Sequence, residues 1–149
     1  MAQRFVRLIL LTLLVAACAT RAPQQQVFDM PKTDPLRDSP AQWLWQSGVD
    51  ARENNKLSAA SRYFERALEV VPDSSWLYRE LAELRLRQGD AAAAEGLAQK
   101  ALRYAPDDPV YQSALWQLIS TARLRQGNSD GADKARQEAD VLWRRANKS

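Results

Sequence analysis

Four residues in the middle of the chain, Ala60, Phe64, Ala67 and Pro72, return 34 positions later as Ala94, Ala98, Ala101 and Pro106. A period of this size held at several positions marks a stack of helical hairpins, in which no unit buries its apolar face alone and each packs on the next. The small residues suit a close crossing of two helices. The prolines suit helix ends, because proline lacks a backbone N–H and disfavours the α conformation in the residue before it. No alternating β pattern competes. Six helices are expected, at about 40–54, 57–71, 74–88, 91–104, 109–126 and 130–146, in an all-α chain. Ser39-Pro40, Asn55, Asp90 and Asp108-Pro109 stand where helices would begin, as capping residues or a proline in the first turn.

The run A-x3-F-x2-A-x4-P resembles the second half of a tetratricopeptide repeat (TPR), and the resemblance implies a short α-solenoid of three hairpins. The repeats would span about 41–74, 75–108 and 109–146. Gly48 then falls on the glycine of the family's first helix, with Leu44 where that helix often carries Trp. Tyr78, Leu81 and Ala82 take the packing positions of the second repeat, and Gly89-Asp90 its turn. A third, degenerate unit follows: Leu-Arg-Gln-Gly at 86–89 recurs at 124–127, now 38 residues on, and the four extra residues are placed between Asp107 and Ser113. Trp116, Ile119 and Ser120 match its first helix and Ala132 and Ala139 its second, but Arg136 replaces the Phe and Arg144 the Pro. The last helix has one apolar stripe, Ala132, Ala135, Ala139, Leu142 and Ala146, with charged residues around the rest, as suits the end of a solenoid.

The N-terminus carries a different signal. Arg4 and Arg7 precede an apolar run from Leu8 to Ala17, followed at once by Cys18. A basic start, a short apolar core and small residues describe a secretory signal peptide, and the run is too short for a span of about 20 residues. Val-Ala-Ala before Cys18 resembles the bacterial lipobox, which implies cleavage after residue 17, acylation of Cys18 and anchoring in a lipid bilayer. Ala19, rather than Asp, follows the cysteine and implies the outer membrane, with the rest of the chain facing the periplasm. Residues 18–38, with Pro23, Pro31, Pro35 and Gln24-Gln25-Gln26, read as a flexible tether before a domain at 39–147.

This processing changes the charge. The full chain has a net charge of +3; removing residues 1–17 takes away two arginines and no acid, leaving 19 basic against 18 acidic side chains. No nucleic-acid footprint remains. Catalysis is disfavoured by elimination. The chain has no histidine, which removes the commonest general base and the usual zinc ligand. Its one cysteine is the predicted lipid attachment point, and no phosphate-binding glycine loop appears. No metal or other cofactor is expected.

The TPR resemblance implies that the first helices of the hairpins build an inner groove for a protein or peptide partner. Mapped on this chain, the groove would hold Gln42, Trp45, Val49, Arg52 and Glu53; then Trp76, Arg79, Glu83 and Arg87; then Gln117, Thr121 and Arg125. Arginine and tryptophan commonly dominate interface energy. The chain thus reads as a membrane-anchored periplasmic adaptor or scaffold for an envelope assembly. The alternative is a pilotin-like or structural subunit of a secretion, pilus or peptidoglycan-synthesis complex.

Overall fold

The structure is a computed structural model that describes residues 29–148. It has helices α1 (Gln42–Glu53), α2 (Leu57–Val70), α3 (Ser75–Arg87), α4 (Ala91–Tyr104), α5 (Pro109–Arg125) and α6 (Ser129–Ala146), with no strand among the described residues. Each helix packs mainly on the next, and α3 also touches α5. That pattern is a stack of three hairpins, α1–α2, α3–α4 and α5–α6, rather than a closed bundle.

The three hairpins turn the same way for the same reason. Asn55, Gly89 and Gly127 have φ of 57°, 85° and 77°, the left-handed conformation that ends a helix most easily at glycine or asparagine. In each turn the next amide reaches back five residues, Lys56 to Ala51, Asp90 to Arg85 and Asn128 to Arg123, so that otherwise orphaned carbonyls are satisfied. Asn55 therefore closes α1 and does not cap α2, as the sequence suggested; Lys56 precedes α2 without a side-chain cap. Ser39 also differs from expectation: its hydroxyl accepts from the Ala41 amide in a turn leading to α1, whose own N-cap is Ala41. Four later helices are capped by side chains: Ser74 accepts from Leu77, Asp90 from Ala93, Asp108 from Val110 and Tyr111, and Asn128 from Gly131.

The small residues sit where helices meet. A Cβ on Gly48 would stand 2.4 Å from the Phe64 ring, so α1 and α2 approach with only hydrogen between them. Ala60, Phe64 and Ala67 of α2 are fully buried, as are Ala94, Ala98 and Ala101 of α4 and Ala132 and Ala139 of α6. Leu81 joins the first core cluster with Leu44, Phe64 and Leu77. Ala98 packs with Ala82, Ile119 and Ala135 in a second, alanine-rich one. Pro72 and Pro106 lie just past α2 and α4; Pro72 is exposed and Pro106 partly so. Buried serines tie first helices to second ones: Ser75 donates to the Ala101 carbonyl, Ser113 to that of Ala139 and Ser120 to that of Ala132.

The extra residues of the third repeat lie within its first helix, as the expected 109–126 range implies: α5 begins at Pro109 and runs for 17 residues. One departure matters for function: the last part of the expected tether is not a free spacer. Met30, Pro31, Asp34 and Leu36 are buried, with Leu36 fully enclosed in the first core cluster. Apolar burial of Leu36, worth about 2 kcal/mol, together with a satisfied carboxylate at Asp34, offsets the entropy of ordering this stretch. Cys18 and the signal peptide lie outside the described residues.

Candidate interaction face

The first helices α1, α3 and α5 carry the residues mapped to the groove. Their side chains differ widely in availability. Gln42, Glu53, Arg87, Gln117, Thr121 and Arg125 are exposed; Trp45, Val49, Arg52, Arg79 and Glu83 are partly buried; Trp76 is only 5% exposed. Trp76 is thus a packing residue rather than an open groove surface. It stacks on Tyr111, ring centroids 6.2 Å apart, and Tyr111 comes from the extra first turn of α5. The longer helix therefore laps back over the second hairpin.

A buried acid organises the face. Glu80, 3% exposed, pairs with Arg52 and so joins α3 to α1. Burial holds its carboxyl above the ordinary 4.5, because desolvation disfavours the charged form more than Arg52 restores it. Glu83 adds to the rise; Arg79 and the Trp45 indole oppose it. Arg52 is consequently a strut between repeats. Its neighbour in the face, Arg79, lies 4.8 Å from the centre of the Trp76 ring and 2.5 Å from a Glu83 carboxylate oxygen. The ring quadrupole and the carboxylate both favour the cation there. Arg125 reaches from α5 to the Leu86 carbonyl at 2.5 Å, while its residue as a whole stays exposed. Tyr111 donates or accepts with Ser75 at 3.1 Å, and burial pushes its phenol well above the ordinary 10.

Glu80 was missed in the sequence although a signal was there: it lies on the apolar stripe Leu77, Leu81, Leu84 of α3, where an acid is out of pattern. Asp34 had no such signal, sitting among prolines in a stretch without periodicity. No group of three or more potential metal-binding side chains occurs among the described residues.

Residues 51–118 match the tetratricopeptide repeat family. Among solved structures, the globular C-terminal domain of P. aeruginosa LpoP is 39% identical, covers 69% of this chain and 97% of its own, and superposes with a TM-score of 0.66. The chain belongs to the tetratricopeptide repeat family, the class of helical repeats whose members bind proteins or peptides. Within it, the described domain is similar to that LpoP domain over nearly its whole length. The N-terminal domain of stress-induced protein-1 (STI-1) from C. elegans shares the fold at 16% identity, with a TM-score of 0.66 over 70% of this chain and 84% of its own. No curated protein sequence matches the chain.

Proposed function

We propose that the chain is an outer-membrane lipoprotein whose TPR solenoid faces the periplasm and holds a protein partner against α1, α3 and α5, as an adaptor for an envelope assembly. The observation that carries the reading is the position of Arg79, on the central hairpin and lodged between an aromatic ring and a carboxylate, while Arg87 of the same helix and Gln117, Thr121 and Arg125 of α5 are exposed. An arginine held in one orientation loses little further entropy when it meets a partner's carboxylate or carbonyl. The partner this favours is an extended segment carrying acidic and polar groups. The likeness to the LpoP C-terminal domain supports the solenoid as a domain of its own, and the lipobox-like Val-Ala-Ala-Cys supports the anchor.

The anchor is tested by Cys18→Ser. Metabolic labelling with a fatty-acid analogue is expected to mark the wild-type chain and not the variant, and the variant's precursor is expected to stay uncleaved. Label on the variant would remove the lipoprotein reading.

A further inference from the structure

Residues 30–38 make a series of tight turns, with Asp34 N–H donating to the Pro31 carbonyl, Arg37 N–H to Asp34 and Ser39 N–H to Leu36. The Arg37 guanidinium donates back to the Met30 carbonyl at 2.5 Å. These bonds are internal to the stretch. Among the described residues, the hydrogen bonds that join it to the helices both end on one side chain, Asp34. One carboxylate oxygen accepts from the Ser74 hydroxyl at 2.8 Å and from Leu36 N–H at 3.0 Å; the other accepts from the Trp76 amide at 2.9 Å. Trp76 is in the first turn of α3, where amides have no partner within the helix. Ser74 satisfies Leu77, and Asp34 satisfies Trp76. The acid also faces the positive end of the helix dipole.

We propose that this stretch is a latch: a locally cooperative unit, held by Asp34 and by the buried Leu36, that can leave the solenoid without unfolding it. Three features point to this. The stretch precedes the first helix, so its release breaks no hairpin. Its polar hold is concentrated in one residue. And the helices pack each on the next along the whole solenoid, while the stretch adds only Met30 and Leu36 to the first core cluster. Release would have two effects. It would lengthen the free tether between Cys18 and α1 by about nine residues, on the order of 30 Å of extended chain. It would also strip the Trp76 amide of its acceptor and loosen the ring beneath Arg79; the indole N–H of Trp76 is already buried without a hydrogen-bond partner. This second effect, coupling of the latch to the interaction face, rests on the proposed function above.

The latch itself is testable with no partner present. Amide hydrogen exchange is measured on the mature chain in detergent micelles, for wild type, Asp34→Ala and Leu36→Ala. Both variants are expected to speed exchange at the Leu36 and Trp76 amides by about tenfold or more, while Ala98 and Ala101 in α4 stay within about twofold of wild type. Acceleration spread equally over α3, α4 and α5 would show that the stretch is an inseparable part of the core and would overturn the proposal. So would unchanged exchange at Leu36 and Trp76.

Discussion

At the scale of single residues the fold depends on contacts with no spare room. Gly48→Ala would press a methyl group into the Phe64 ring, and overpacking of this kind costs about 1–3 kcal/mol. Combining it with Phe64→Leu is expected to recover part of that loss, so thermal melting of the double variant should lie above that of Gly48→Ala alone. The same cost is expected for Ala94→Leu, at a fully buried position, and little change for Gln99→Leu, on the exposed side of the same helix.

Two carboxyls pull stability in opposite directions with pH. Glu80 has its folded value raised by burial, so the native state holds the proton more tightly than the unfolded chain does; its contribution is fully present below the ordinary 4.5 and is withdrawn as pH rises through the raised value. Glu95 has the reverse sign. Its burial is outweighed by the hydrogen bonds from Arg123 and Gln126, which lower its value, so its contribution is present above 4.5 and is lost as pH falls. Melting curves between about pH 4 and pH 7 are expected to show that Glu80→Gln gains relative to wild type as pH rises and that Glu95→Gln falls behind. The same order in both variants would contradict the assigned environments.

At the scale of elements, hairpins are joined by a few polar struts across alanine-rich contacts. Arg123 on α5 donates to Glu95 on α4 at 2.8 Å and to the Gly131 carbonyl of α6 at 3.0 Å. It thus links three helices. Arg123→Ala is expected to cost about 1 kcal/mol in the melting of the chain, since the pair is partly buried, whereas Arg144→Ala on the exposed side of α6 should be near neutral. The helices themselves were legible because small residues and prolines recur at one spacing and turn residues stand between them, and each has a local steric cause. The start of α5 was legible in Asp108-Pro109 as well, but not that its first turn stacks Tyr111 on Trp76. Of the face, the TPR resemblance maps Arg79, Gln117 and Arg125, but nothing in one sequence tells that Glu80 reaches Arg52 across 28 residues, or that Trp76 turns inward. The docked stretch before α1 was illegible, because its fit depends on Asp34 meeting an amide more than 40 residues away.

At the scale of the whole molecule, the solenoid of three hairpins, joined to the lipid proposed at Cys18, would hold a partner near a membrane. None of the described helices is long and apolar enough to cross a bilayer. The side of the solenoid that meets the partner is the central claim. It is tested by placing a photo-crosslinking amino acid in the living cell at Gln117 or Thr121, on the exposed face of α5, and at Gln99, on the exposed face of α4. The account predicts a discrete adduct from the α5 positions and none from Gln99. It further predicts that Arg79→Ala weakens that adduct to the extent of about 1–3 kcal/mol in binding, as truncation of a central interface arginine does. An adduct from Gln99 alone, or α5 adducts indifferent to Arg79, would place the partner on another surface and contradict the account.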